Sequence, residues 1–285
     1  MTDKPAVALL GTGIMGAGMA RNIAAAGLPL TVWNRSAEKA APLIDAGAVV
    51  AASPAEAVED ADVVVTMLFD TASVAEVMRA AAPGLGDGTV WLQMATVGVA
   101  GTDELAALAD ELGVIFVDAP VLGTRKPAED GALVVLASGP DEARESVEPV
   151  IEAVSARSTW LGAAGAGTRL KLVANSWVLT VVEGIAESLT LAKALGLDPQ
   201  HFLDVVKGGA MDAPYVQLKG AAMIAGDFTP SFGLDGAAKD ADLIVAAARG
   251  AGVELDVLEA VRGHFARALA DGYGDQDMAA TFLSH

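Results

Sequence analysis

The stretch Ala6-Val-Ala-Leu-Leu10-Gly11-Thr-Gly13-Ile14-Met15-Gly16 decides the fold. A short apolar run that ends on a turn signal reads as a buried strand. Here it runs straight into three glycines spaced Gly-x-Gly-x-x-Gly. Behind them Ala17 to Ala26 reads as a helix that Gly27 ends, and Leu30-Thr-Val-Trp33 reads as a second strand. Glycine spacing of this kind is common by chance. Placed between a strand and a helix, in a unit of about thirty residues, it is the fingerprint of a dinucleotide site. Gly11 permits the tight turn, Gly13 lets the backbone approach a pyrophosphate, and Gly16 lets helix and strand pack closely. Ile14 and Met15, between them, are assigned to the same contact, and the helix N-terminus offers its free N–H groups to the phosphates.

The end of the second strand selects the cofactor. Enzymes that use NAD usually place an acidic residue there for the ribose hydroxyls. This chain has Asn34-Arg35-Ser36, with Lys39 one turn on. Arg35 favours a ribose phosphate and no carboxylate repels it, so NADP is expected, with NAD as the alternative. The other reading of Arg35 is an exposed surface charge.

Strands and helices go on alternating. Pro42 to Gly47 reads as a short helix, and Ser53 as the cap of another. Ala61 to Phe69 reads as a strand, Asp70 to Ala82 as a helix, Thr89 to Met94 as a strand, Thr102 to Leu112 as a helix and Val114 to Val117 as a strand. Loops leaving the carboxyl ends of parallel strands line the ligand crevice, which places Leu68, Phe69 and Thr96 near the cofactor. Asp118 to Gly131 reads as a loop rich in backbone donors, with Arg125 and Lys126 available to a substrate carboxylate, or as a plain connection. Leu133 to Leu136 (strand), Asp141 to Ser155 (helix) and Thr159 to Leu161 (strand) complete a doubly wound sheet. After Gly162 only helical patterns follow. The expected fold is α/β: a Rossmann domain over residues 1–164, then an all-helical substrate and dimerisation domain over 165–285.

The longest helical pattern, about 168–195, carries Lys171 and Asn175 on one face of an apolar segment. It reads as a buried helix. A buried lysine must lose its charge or find a partner. Held this way it can have a lowered pKa, which suits a proton donor working near neutral pH. The plainer reading is a lysine that snorkels from the helix shoulder. Asp198 can cap a helix from Pro199 to about Gly208. Further helices are expected within Met211–Gly226, Phe232–Ala251 and Leu255–Asp271. Their apolar faces suggest helices interlocked in a homodimer or homotetramer.

Composition bounds the partners. The chain has 285 residues, 53% of them hydrophobic, no cysteine, and a formal net charge of -19. Such acidity disfavours nucleic acid and anionic membranes. No run approaches the ~18 uninterrupted apolar residues of a membrane span. Met1-Thr-Asp-Lys-Pro5 lacks the layout of a signal peptide. A cytoplasmic protein is therefore expected. His201, His264 and His285 are scattered in sequence, so no metal site is expected.

As a set these motifs resemble the β-hydroxyacid dehydrogenase family, which includes 3-hydroxyisobutyrate dehydrogenase. Four motifs carry the resemblance, in order: the Gly11–Gly16 turn, the Asp118–Gly131 loop, the Gly165–Asn175 segment and Lys239-Asp240. The resemblance implies a catalytic lysine at Lys171 with Asn175 beside it. It implies cofactor contacts from Thr96 and Lys239, and a substrate site at the domain interface that takes in Thr96, Leu122, Gly123, Thr124, Lys171, Asn175 and Phe232. The implied chemistry is hydride transfer between a nicotinamide and a small hydroxyacid or aldehyde. Lys126 to Gly131, and Gly209-Ala-Met211 through Asp227-Phe-Thr-Pro230, are similar to the glyoxylate and succinic semialdehyde reductase branch. Leu122 stands where the family usually has serine, and Asp235 stands near a usual lysine. The alternatives are an imine reductase or uncharged-carbonyl reductase on the same scaffold, and a cofactor-binding protein without catalysis.

Overall fold

The computed structural model describes residues 4–285; the expectation resting on Met1-Thr-Asp lies outside the described residues. The chain divides into two compact units, one up to Lys171 and one from Leu172 to His285.

The first unit is built on a six-stranded sheet of β1 (Val7–Leu10), β2 (Leu30–Trp33), β3 (Val49–Val50), β4 (Val63–Thr66), β5 (Val90–Gln93) and β6 (Ile115–Asp118). Every pairing is parallel, in the order β3-β2-β1-β4-β5-β6. Helices α1 (Gly16–Ala25), α2 (Ala37–Ala40), α3 (Pro54–Val58), α4 (Thr71–Ala81) and α5 (Gly98–Leu112) make the crossovers. A parallel sheet needs both faces covered, hence its unbroken apolar strands. Val7, Leu9, Val32, Val65 and Leu92 pack with Met19 and Ile23 in one core. Ala8, Leu10, Val64 and Trp91 pack with Val74, Met78 and Leu105 in the other. Strand order reverses between β1 and β4, which opens a crevice at their carboxyl ends. The Gly11–Gly16 turn and the Met67–Phe69 loop leave from those ends.

The doubly wound fold is as expected, but its edge is not. The parallel sheet stops at β6. A separate three-stranded sheet follows, of β7 (Val121–Leu122), β8 (Leu133–Ala137) and β9 (Ser155–Trp160). Only Ala119 and Pro120 separate β6 from β7, far too few for the crossover that a parallel neighbour needs. β7 therefore turns away and pairs antiparallel with β8. The stretch expected to be a loop holds β7 and α6 (Arg125–Glu129). Pro42–Gly47 lies in a 3₁₀ turn, Ala41–Ala46. Helix α5 starts at Gly98 rather than Thr102. Helix α7 (Arg144–Val154) ends before Ser155, whose hydroxyl donates to the Ile151 carbonyl at 2.7 Å. Ser53 caps α3 as expected, accepting the Glu56 N–H at 3.2 Å.

Helix α8 (Ala166–Ala194) runs through the division. The second unit adds α9 (Gln200–Val206), α10 (Pro214–Ala225), α11 (Leu234–Gly250), α12 (Asp256–Ala270) and a 3₁₀ segment, Met278–Ser284. Among its described residues no strand forms. Asp198 accepts the Gln200 N–H at 2.9 Å, near the start of α9. Helix α8 is not buried all round. Leu172, Leu179, Val182, Ala186 and Leu189 form a buried stripe, whereas Val173 (66% exposed) and Trp177 (69%) face outward. By length and composition α8 could cross a bilayer. Its buried polar side chains bond to the Val121 carbonyl, Asp240 and Thr281 inside the protein, as in a helix packed into a core.

Candidate active site

The glycine turn is shaped by steric necessity. Gly11 has φ 108°, and a Cβ there would lie 2.4 Å from the Met67 carbonyl oxygen. A Cβ at Gly16 would lie 1.9 Å from the Gly11 oxygen. Gly16→Ala is thus expected to cost about 1–3 kcal/mol of stability through overpacking. Urea denaturation would read it, and an unchanged midpoint would contradict the account. Around Gly13 there is open space. Met15 gives the first residue of α1 no side-chain cap, and the Thr12 hydroxyl is buried without a hydrogen-bond partner. A bare helix N-terminus, an open glycine and an orphan hydroxyl fit a bound pyrophosphate. Asn34 ties the turn to the corner after β2: its Oδ1 accepts the Thr12 N–H at 3.1 Å and its Nδ2 donates to the Ser36 carbonyl at 3.0 Å. Arg35 and Lys39 are exposed, Ser36 is half-buried and Ile14 is exposed.

At the next strand ends the structure supplies a support that the sequence does not advertise. Gln93, fully buried, clasps Ala95 from both sides: Nε2 donates to its carbonyl and Oε1 accepts its N–H, each at 2.8 Å. The Thr66 hydroxyl donates to Gln93 Oε1 at 3.2 Å and accepts from Trp91 Nε1 at 2.9 Å. This network fixes the loop that presents Thr96. Leu68 is half-buried, and Phe69 is exposed beside the capping box of Asp70 and Ser73 at the start of α4.

Asp118 does for α8 what Gln93 does for Thr96. Its carboxylate accepts the Thr168 N–H at 2.8 Å and the Thr168 hydroxyl at 2.7 Å, so it caps α8 from fifty residues away. Burial pushes this carboxyl up from the ordinary range, and the Thr168 and Ser138 hydrogen bonds pull it back only in part. Gly167 allows the close approach: a Cβ there would lie 2.1 Å from the Leu136 oxygen. One turn on, Lys171 is 7% exposed and its ammonium donates to the Val121 carbonyl at 2.7 Å. Within the first unit, then, Lys171 sits against the strand that carries Leu122 and runs into Gly123 and Thr124. Gly123 has φ 124°, with Leu133 and Pro127 filling the space of a Cβ. Arg125 and Lys126 do not stand ready for an anion as expected. Each is paired along α6, with Glu129 and Asp130 respectively.

In the second unit Asn175 is buried, and its amide donates to Asp240 Oδ2 at 2.7 Å. The Lys239 ammonium lies 3.0 Å from Asp240 Oδ1 and forms an ion pair with it. Asp240 thus joins Asn175 and Lys239. Phe232 is half-buried, and its backbone is clamped by Asp277. The Asp277 carboxylate accepts the N–H groups of Ser231 (2.9 Å), Phe232 (3.2 Å) and Ala279 (3.0 Å), the Ser231 hydroxyl (2.8 Å) and the Lys219 ammonium (2.6 Å). Burial raises this carboxyl, but Lys219 and the backbone donors outweigh it and hold it below the usual range.

A parallel sheet with a glycine turn at its switch point, here followed by a helical unit, defines a dinucleotide-binding fold. Residues 6–162 match the family model described as the NAD binding domain of 6-phosphogluconate dehydrogenase. Residues 165–283 match that described as the NAD-binding of NADP-dependent 3-hydroxyisobutyrate dehydrogenase. The chain is 33% identical to glyoxylate/succinic semialdehyde reductase 2, chloroplastic, of Arabidopsis thaliana over 277 residues, which are 96% of this chain and 77% of that one. A solved 3-hydroxyisobutyrate dehydrogenase of Salmonella typhimurium superposes with a TM-score of 0.91 over 99% of both chains, at 28% identity. A reductive aminase of Aspergillus terreus superposes at 0.65 over 98% of both, at 25% identity. The chain belongs to the β-hydroxyacid dehydrogenase family, NADP-using dehydrogenases and reductases that act on hydroxyl or carbonyl groups of small molecules.

Proposed function

We propose that this protein reduces a small aldehyde or 2-oxoacid, or oxidises the matching hydroxyacid, with Lys171 as general acid or base. The observation that carries this reading is the buried Lys171 ammonium, fixed on the Val121 carbonyl beside Leu122 and Gly123. When bound, the nicotinamide supplies or accepts the hydride. Lys171 gives a proton to the developing alkoxide in reduction and takes it back in oxidation. Asn175, held by Asp240, orients the substrate. Thr96, Leu122, Gly123, Thr124 and Phe232 shape its pocket. Gly11, Gly13, Ile14, Met15, Gly16, Asn34, Ser36, Leu68, Phe69, Thr96 and Lys239 hold the cofactor. Arg35, with Lys39, recognises the ribose phosphate. Charge-assisted hydrogen bonds are worth about 1.5–3 kcal/mol. Arg35→Ala should therefore raise the KM for NADPH by roughly tenfold or more and leave that for NADH unchanged; equal effects on both would contradict the assignment.

The named Arabidopsis relative points to glyoxylate and succinic semialdehyde as substrates. A second reading, an imine or an uncharged carbonyl, is favoured by one observation: Arg125 and Lys126 are paired within α6, next to an apolar Leu122. The test is NADPH consumption with glyoxylate, succinic semialdehyde, methylmalonate semialdehyde, an uncharged aldehyde and a cyclic imine. Turnover of the first three supports the main reading. Turnover of the last two alone replaces it with the second, and no turnover of any rejects both. We also read residues 1–164 and 165–285 as the functional domains, a division supported by the limits of the two family models. The outward Val173 and Trp177 suit a homodimer or homotetramer. A chain without cysteine and with this acidity suits the cytoplasm, with no nucleic-acid or membrane partner.

A further inference from the structure

We propose that Glu183, His264 and His285 form a zinc site that ties the last residues of the chain to α8 and α12. None of the three belongs to the cofactor or proton-transfer machinery. The histidines lie 21 residues apart in sequence, yet their rings stack with centroids 4.6 Å apart and planes at 26°. Both address one oxygen of Glu183: His264 Nδ1 lies 3.0 Å and His285 Nε2 2.5 Å from Oε1. One donor atom from each residue falls within 4.8 Å of the other two. Glu183 is buried, and its second oxygen accepts the Thr281 hydroxyl at 3.0 Å, which fixes the carboxylate plane. Such an outer bond is how metal ligands are oriented.

The Arg267 guanidinium lies 3.1 Å from His264 Nδ1. An arginine N–H can bond that nitrogen only through its lone pair, because arginine has no acceptor. That nitrogen, the Glu183 carboxylate and the His285 ring nitrogen can be shared by one divalent ion. Exposed Arg267 gives up its contact when the ion binds. Two imidazoles, one carboxylate and a fourth position open to water are a zinc donor set. Magnesium prefers octahedral oxygen ligands and is excluded. Tetrahedral zinc at about 2.0–2.2 Å holds its donors roughly 3.3 Å apart, so His285 needs to retreat from Glu183 by less than ~1 Å. The segment that carries His285 is otherwise anchored: Ser284 donates to Asp271 at 2.6 Å, and Asp277 accepts the Ala279 N–H.

The test uses the untagged 285-residue chain, stripped with a chelator and titrated calorimetrically with zinc or magnesium, with thermal denaturation alongside. One zinc per chain is expected, together with a Tm that climbs with zinc concentration and no response to magnesium. His285→Ala removes one donor together with its stack on His264, and Glu183→Gln keeps the shape while weakening the carboxylate. Each should weaken zinc by at least ~10-fold. Absence of zinc binding by the untagged chain overturns the proposal. So does zinc affinity that persists unchanged in both His285→Ala and His264→Ala.

Discussion

Lys171→Ala is expected to lower kcat by about 10²–10⁴, the usual worth of a positioned proton donor. The loss should fall on kcat and kcat/KM alike, because the proton is needed only as the alkoxide develops. Cofactor binding should change little: within the first unit the Lys171 ammonium donates to the Val121 carbonyl, in a segment separate from the glycine turn. Lys171→Arg tests shape against charge. The guanidinium keeps the charge but does not give up its proton near neutral pH. Arginine should therefore rescue stability without rescuing turnover.

Asp277→Ala is expected to destabilise the protein by about 3–5 kcal/mol, because it leaves the Lys219 ammonium buried and uncompensated. Both side chains of the pair are only 4% exposed. The same substitution also frees the N–H groups of Ser231, Phe232 and Ala279. Replacing both partners by apolar residues should recover part of the loss, since a buried pair is costly to break but not costly to omit. The carboxyl titrates below its ordinary 3.8. Its contribution is therefore full above that value and is lost as pH falls through the folded-state value. Chemical denaturation should show the whole gap between variant and wild type near neutrality, and a narrowing gap in acid. A gap that is constant with pH would contradict the pairing.

Local signals were legible and distant ones were not. The glycine turn, the Asn34-Arg35-Ser36 corner and the Ser53 cap are written in contiguous residues. So is the alternation of apolar runs with helical patterns, and the Rossmann order followed from it. Asp118 looked like a loop residue, because its partner Thr168 lies fifty positions on. Gln93 sits in an apolar strand, and nothing in sequence shows that its amide clasps Ala95. Lys219 and Asp277 are separated by fifty-eight residues, so their bond arises only when the unit folds. His264 and His285 looked scattered for the same reason. The short β3 and the turn into β7 escaped a reading that relies on runs of several apolar residues. Helix α8 misled through composition: an apolar exterior stripe, Val173 and Trp177 included, looks in sequence like core.

The central claim is that Lys171 moves the proton that accompanies hydride transfer. The most direct measurement is the single-turnover rate of NADPH oxidation, across pH, for wild type and Lys171→Ala with the best substrate of the panel. The wild-type rate is expected to fall as pH rises, because a donor must hold its proton. The variant is expected to be slower by at least ~10², with a rate that no longer follows that ionisation. A variant that matches wild type in rate and pH profile would remove Lys171 from the chemistry.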